Sequence, residues 1–365
     1  MIKKKGKLLI LVFMVMLILP VLAYPVLSNF IDTENHENRV LAEFPSVSDG
    51  ADFFSNLTVW FNDNLPYKNQ LVSLHSNLFL SLFNTTPNPR VVVGEDGWLF
   101  YNNYDAENPI DDILGRSSFT VDETAVIGNN LKEAGASLNK EGITFVFLLA
   151  PNKESIYREQ LPGYLRDIAA EQTRADILVG SIDTRDCILV YPRDEILEEK
   201  ENCQLYYRYD THWNRLGAYV GFRSICRELG IEIPPLAEMS VADDMGYPRD
   251  LADLAGIGSR CSNDAEYTIT DLYPDVNVTE TQENGVTVYT SDAKTDKTVL
   301  VIHDSYYRSM QGYLPKVFSK VISVDRNYSD LYSVQQYIGI YHPDIVIMEV
   351  VERGIQIMLH ENMPF

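Results

Sequence analysis

The sequence predicts an α/β protein whose parallel β-sheet is flanked by helices, and three observations carry that prediction. Short runs at 143–150, 188–191, 299–302, 321–324 and 345–350 are apolar and rich in β-branched residues. Runs of that kind suit strands buried on both faces, as in a parallel sheet covered by helices. Segments with helical spacing at 131–140, 214–229 and 329–341 fall between them and supply the crossovers that parallel strands require. The chain of 365 residues is 45% hydrophobic, enough for one large core or two modest ones.

With 30 Lys and Arg against 52 Asp and Glu, the formal net charge is −22. That balance repels phosphate backbones and excludes nucleic acid as the partner. It gives no general attraction to anionic lipid or polymer either, so any such ligand must be met by a local site.

Taken in order, the chain opens on Lys3, Lys4, Lys5 and Lys7, followed by an uncharged apolar run over 8–27. A run of about 20 residues spans a hydrocarbon core of about 30 Å, and the lysines favour a cytoplasmic N-terminus. Residues 1–28 therefore read as a membrane anchor, with Pro20 and Val21-Leu22-Ala23 leaving a cleaved signal peptide as the alternative. Either reading puts the remainder outside the cytoplasm, single-pass or secreted. Disulfides are permissible there, and Cys187, Cys203, Cys226 and Cys261 allow three pairings with no CxxC spacing to choose among them.

Residues 29–89 read as a juxtamembrane, partly helical segment: Pro66 suits a first turn, and Leu71, Leu74, Leu78 and Leu82 recur at helical spacing. Thr85-Thr86-Pro87-Asn88-Pro89 breaks the pattern, and the main domain is placed at 90–365. It begins with two short strands around the turn Gly94-Glu95-Asp96-Gly97. Asn214 is a natural N-cap and Gly230 a natural stop for the helix between them. Over about 234–297 the pattern changes to Asp/Gly-rich loops and a hairpin that includes 288–291, which reads as an insertion.

In an open parallel sheet, functional groups collect beyond the carboxyl ends of the strands. One such end runs from Val299-Leu300-Val301-Ile302 straight into His303-Asp304-Ser305-Tyr306, presenting Ser305 as a nucleophile if a base takes its proton. Asp210 and His212 are two apart in an extended segment, so both side chains face one way and the carboxylate orients the ring. Together the three residues supply nucleophile, base and orienter. His303, two residues from Ser305, is the alternative base with Asp304 as its partner. The backbone N–H groups of Ser305 and Tyr306 are oxyanion donors by their place in a tight turn. Asn152 is a further oxyanion candidate, Lys153 a ligand for a carboxylate or sugar hydroxyl, and Arg308 either a substrate cation or the partner of an acid. Glu349, Glu352 and Arg353 follow the last strand and shape the site, as a buried ion pair before any catalytic role. Trp98, Trp213 and the tyrosines offer faces to sugar rings or to the core. Asp210, His212, His303 and Asp304 lack HExxH or comparable spacing, so neither metal nor cofactor is expected.

These residues, with Glu37-Asn38-Arg39, Gly94 to Phe100, Pro151-Asn152-Lys153, Tyr207 to Trp213, Asp250 to Leu254 and Glu352-Arg353, resemble the alginate O-acetyltransferase family of SGNH-hydrolase-like proteins. The resemblance runs in order from Glu37 to the C-terminus and is nearest to the DHHW branch; Thr211 stands where that branch has its first histidine, and His303 where a glycine usually precedes Asp-Ser. It implies an SGNH-hydrolase-like (flavodoxin-like) fold and an exported or anchored enzyme that O-acetylates a polysaccharide. A membrane-bound O-acyltransferase would supply the acetyl group, and Ser305, His212 and Asp210 would act as nucleophile, base and orienter. The order Asp-x-His before serine separates this branch from ordinary SGNH hydrolases. A carbohydrate acetyl-esterase is the alternative activity, with water as acceptor; a non-catalytic envelope scaffold is the alternative class.

Overall fold

The computed structural model describes residues 6–7, 9–15, 18–19, 41–63, 67–103, 107–244, 249–261, 264–283, 286–326 and 334–359. The cleavage sequence, Glu37-Asn38-Arg39, Pro66 and the start of the segment 329–341 lie outside them. Residues 9–15 are helical with exposed apolar side chains, and among the described residues no helix is long and apolar enough to cross a membrane.

Contacts divide the chain into two compact units, Met1–Pro89 with Ala252–Arg260, and Arg90–Leu251 with Cys261–Phe365. In the first, α1 (Phe53–Asp63) and α2 (Lys68–Phe83) are regular helices. Leu71, Leu74, Leu78 and Leu82 lie on α2 as their spacing predicts, yet each is at least 50% exposed, so this face is not core.

The second unit carries the sheet. Its first strands, β1 (Val91–Val93) and β2 (Leu99–Tyr101), form an antiparallel hairpin. Asp96 and Gly97 turn it at φ 50° and 78°, and Gly94 is required because a Cβ there would lie 2.2 Å from the Gln160 carbonyl. Next come α3 (Val121–Lys140), β3 (Thr144–Ala150), β4 (Ile188–Val190), α4 (Arg215–Glu228), β5 (Val241–Asp243) and β6 (Tyr267–Ile269). They are followed by β7 (Val278–Glu283), β8 (Val286–Ser291), β9 (Thr295–His303), β10 (Phe318–Asp325), α5 (Val334–Tyr341) and β11 (Ile345–Val351).

The main sheet has the order β4-β3-β11-β9-β10-β8-β7, parallel from β4 to β10 and antiparallel at β8 and β7. Side chains of β3 alternate between its two faces: Val146, Leu148 and Ala150 join one core, Phe145, Phe147 and Leu149 the other. Leu216, Tyr219, Phe222 and Ile225 of α4 cover the first face; Ile127, Leu131 and Leu138 of α3 cover the second. The continuous apolar runs are thus explained by burial on both sides.

Within 234–297, β7 and β8 extend the main sheet through the β8–β10 ladder. The helix expected at 131–140 starts ten residues earlier, since Thr120 and Glu123 form a reciprocal capping box ahead of a polar first half. Asn214 caps α4 by accepting the Gly217 N–H, and Gly230 follows its end at φ 73°. All four cysteines are free thiols.

Candidate active site

Because β3, β11 and β9 are neighbours in the sheet, their carboxyl ends bring Asn152, Glu352-Arg353 and Ser305 to one edge. Ser305 opens a 3-10 turn, Ser305–Ser309, that leaves β9 through Asp304. The Asp304 carboxylate builds this turn: Oδ1 accepts the Tyr306 N–H at 2.9 Å, and Oδ2 accepts the Val351 N–H at 2.9 Å and Arg326 Nη2 at 3.1 Å. The Asp304 N–H donates to the fully buried Glu349 at 3.0 Å. Burial and the nearby Asp304 carboxylate push Glu349 well above the ordinary carboxyl range.

The loop before α4 is closed by a β-bridge between Tyr206 and Trp213. It is tied to the serine turn twice, as Trp213 Nε1 donates to the Tyr306 carbonyl at 2.8 Å and Tyr306 Oη donates to the Thr211 carbonyl at 2.6 Å. Within the loop, His212 Nδ1 lies 2.6 Å from Asp210 Oδ1, and Nε2 lies 2.8 Å from Ser305 Oγ. A carboxylate only accepts, so Asp210 assigns the ring proton to Nδ1 and leaves the Nε2 lone pair for the serine hydroxyl. Asp210 also accepts the His212 N–H at 3.0 Å and, through Oδ2, the Asp250 N–H at 2.8 Å. Burial alone would raise this carboxyl, but the His212 hydrogen bond and charge with the backbone donors hold it at about 2. The His212 side chain keeps 20% exposure while Asp210 keeps 2%, so the imidazole meets solvent and the carboxylate that holds it does not.

Asp250 accepts the Thr211 N–H at 2.9 Å and the Thr211 hydroxyl at 2.7 Å, and its Oδ2 stands 3.8 Å from His212 Nδ1. Desolvation on its inner side and the Asp210 charge push it up to about 6; the 43% of its side chain still open to solvent tempers the first of these causes. Ligand atoms of Asp210, His212 and Asp250 lie within 4.8 Å of one another, yet both His212 nitrogens are taken up by Asp210 and Ser305, which leaves the ring no lone pair aimed at a cation.

Several expectations for single residues are corrected. The Tyr306 N–H is consumed by Asp304 Oδ1, leaving the Ser305 N–H as the turn donor with no acceptor among the described residues. Asn152 is fully buried; its Oδ1 accepts from Arg353 at 3.3 Å, and its Nδ2 donor has no partner among the described residues. Lys153 is fully buried as well, and its ammonium donates to the carbonyls of Tyr207, Arg208 and Asp210 instead of facing a ligand. Arg308, with a side chain 60% exposed, stands 3.4 Å from Asp325, in keeping with the acid-partner alternative. His303 cannot serve Ser305, since Nδ1 contacts the Asp304 carbonyl at 2.7 Å and Nε2 contacts Ser323 Oγ at 2.8 Å. Burial pushes this imidazole below its ordinary range. Glu352 takes the Asn152 N–H and the Ser155 hydroxyl rather than pairing with Arg353, which reaches Tyr306 Oη at 3.3 Å. Trp98 and Trp213 are buried, so neither presents a face to sugar. Sequence reasoning did not find the roles of Arg326 and Asp250; their contacts to Asp304 and Asp210 cross the fold, and no local spacing announces them.

A mostly parallel sheet with a serine at one strand end and an Asp-x-His loop beside it defines an SGNH-hydrolase-like protein. Residues 91–323, well over half of the chain, match the family described as SGNH hydrolase-like domain, acetyltransferase AlgX, and the chain belongs to that family. It is 28% identical over 177 residues to the probable alginate O-acetylase AlgJ of Pseudomonas aeruginosa, covering 47% of this chain and 40% of that protein. The corresponding protein of Pseudomonas syringae pv. tomato is 26% identical over 178 residues, covering 48% and 42%. The match thus spans less than half the length of these relatives. Among solved structures, the fold is shared with a DHHW family protein from Eubacterium siraeum (TM-score 0.54, 15% identity, 75% of this chain and 99% of that one). It is shared too with Bacillus cereus PatB1 (TM-score 0.51, 16% identity, 75% and 98%).

Proposed function

We propose that this protein is an extracytoplasmic O-acetyltransferase that acetylates hydroxyls of a polysaccharide through an acyl-serine intermediate. The observation that carries the reading is the continuous relay from Asp210 through His212 to Ser305 Oγ, with contacts of 2.6 and 2.8 Å. Family membership and the alginate O-acetylase relatives support acetyl transfer to a polysaccharide; the Lys-led apolar run over 8–27 supports a membrane anchor, and the family resemblance is the ground for an acetyl donor presented by a membrane-bound O-acyltransferase.

The chemistry runs as a double displacement. His212 Nε2 takes the Ser305 hydroxyl proton as Oγ bonds to the acetyl carbonyl carbon. The tetrahedral oxyanion faces the uncommitted Ser305 N–H. Its collapse breaks the bond to the donor, whose leaving group takes the proton from Nε2. A sugar hydroxyl then gives its proton to Nε2, attacks the acetyl-serine and releases Ser305 Oγ, which recovers the proton. Asp210, ionised throughout, stabilises the imidazolium formed in each half.

The test incubates the full-length protein with an activated acetyl ester and follows the acetyl adduct by intact mass, alongside Ser305→Ala and His212→Ala. The wild type should carry one acetyl group, and both variants none. Adduct on Ser305→Ala, or a folded wild type that never acylates, overturns the reading. Adding neutral and acidic polysaccharides then separates transfer from hydrolysis: a transferase moves label to sugar, an esterase only to water.

A further inference from the structure

The sequence motif Pro151-Asn152-Lys153 and the hairpin Gly94 to Phe100 take no part in the relay, and the structure brings them together beneath it. Lys153 has no exposed surface, a rare state for a residue whose charge is costly to bury without a partner. Among the described residues no carboxylate lies within 4 Å of it. Its ammonium instead donates to the carbonyls of Asp210 at 2.5 Å, Tyr207 at 3.2 Å and Arg208 at 3.4 Å. The rings of Phe100 and Trp98 close the other side at 5.4 and 5.9 Å, offering their negative faces to the charge. Trp98 is itself fixed by stacking on Tyr157 at 4.4 Å between centroids.

We propose that Lys153 is the positioning residue of the acid–base pair: its ammonium curls the 207–210 backbone inward and so sets the register at which His212 meets Ser305. The inference rests on the acyl-transfer reading for its kinetic arm only. The reasoning is one of satisfaction. The Arg208 carbonyl has a second donor, the Leu99 N–H at 2.9 Å, so the inward turn at Tyr207 and Asp210 depends on the lysine. Without it, two buried carbonyls point at each other's dipoles with no donor, and the loop is driven to rotate them outward. Asp210 is both the residue whose carbonyl is held and the one whose carboxylate orients His212, so rotation of that peptide moves the 2.6 Å contact directly. The β1–β2 hairpin acquires its purpose here, as the aromatic roof over a buried cation. Burial lowers the Lys153 pKa, and Glu154, Asp250, Asp210 and Asp264 oppose that shift.

The test uses full-length Lys153→Met, which keeps the volume and removes the donors, and Lys153→Gln, which restores two donors without charge. Leu138→Ala, on the opposite face of the sheet, serves as a control for general destabilisation. Two readouts are taken: the rate constant for Ser305 acetylation, and the downfield proton resonance of His212 Nδ1–H. Lys153→Met should slow acetylation about 100-fold, the scale of a misplaced general base, and abolish the resonance. Lys153→Gln should recover part of both, and Leu138→Ala should keep both. Acetylation within threefold of wild type with the resonance intact in Lys153→Met overturns the proposal, as does loss of folding in both lysine variants, which would make the role one of the whole fold. A wild type that shows the resonance but never acylates refutes the function and leaves the positioning test standing on the resonance.

Discussion

Asp210→Asn is the most discriminating single change, because the structure leaves the new amide no good way to sit. With its oxygen toward His212, it still accepts from Nδ1 and from the His212 N–H, but the NH2 then confronts the Asp250 N–H now 2.8 Å from Oδ2. Two donors face each other in a place 2% exposed, at a cost of about 1–3 kcal/mol. Flipped, the amide satisfies Asp250 but turns its NH2 on His212, so Nδ1 must accept and the proton moves to Nε2. That tautomer cannot take the serine proton. Either outcome removes the carboxylate that stabilises the imidazolium, and acetylation of Ser305 should fall by about 10³–10⁴-fold, as for an orienting aspartate elsewhere. Stability changes in a way that carries a sign. Asp210 is held at about 2 against an ordinary 3.8, so the folded state gains about 2 kcal/mol that is fully present above pH ~4 and lost as pH falls through ~2. Denaturant unfolding between pH 2 and 7 should show a shallower acid slope in Asp210→Asn than in the wild type, by the share Asp210 contributes. Single-turnover acetylation within tenfold of wild type, or an unchanged acid slope, would refute the orienting role.

Asp304→Ala strips acceptors from the Tyr306 and Val351 N–H groups and leaves the half-buried Arg326 without its carboxylate; unfolding titration should show a loss of about 3–5 kcal/mol, with acetylation lost as the turn opens. Gly217→Ala would put a Cβ 2.3 Å from the Leu205 carbonyl and 2.9 Å from Trp213 Cβ; it should cost about 1–3 kcal/mol in thermal unfolding and slow acetylation by displacing the neighbour of His212. Burial pushes Cys187 and Cys226 up to about 12 and Cys203 to about 11, so a thiol reagent at pH 8 should leave these three largely unmodified until denaturant is added. Rapid labelling of the native protein would contradict their placement.

The parts of this molecule legible in its sequence are those decided locally. Strands buried on both faces leave uninterrupted apolar runs, and β3, β9 and β11 sit where those runs predicted. Asp210 and His212 are two residues apart, so elementary strand geometry already puts them on one side. The residues misread are those whose partners arrive from afar. Lys153 looks like a surface ligand until the 207–210 carbonyls fold over it, and the Tyr306 N–H looks free until Asp304 claims it. Burial is a property of the assembled fold, and nothing in a Pro-Asn-Lys triplet announces it. The hairpin that includes 288–291 is legible as a hairpin but its place in the main sheet is not: an antiparallel edge has one polar face, so 278–291 lacks the apolar signature of the central strands.

The histidine where a glycine was expected before Asp-Ser shows how the turn keeps its shape. No residue from 303 to 305 has positive φ, so the turn does not need glycine's conformational freedom. His303 completes β9 in register with Asp325, and its ring rests on Tyr307 at 4.4 Å. The bend is imposed afterwards, by Asp304 reaching forward to the Tyr306 N–H and across to β11. A turn held by side chains rather than by glycine is stiff only while both sides are paired, and here the second side is the loop of His212, through Trp213 and Tyr306. The Ser305 turn and the His212 loop therefore brace one another. Chain order is immaterial to such a relay: what matters is that one residue, Tyr306, gives its carbonyl to one end of the acid–base loop and its hydroxyl to the middle, so neither half can shift without breaking a buried hydrogen bond.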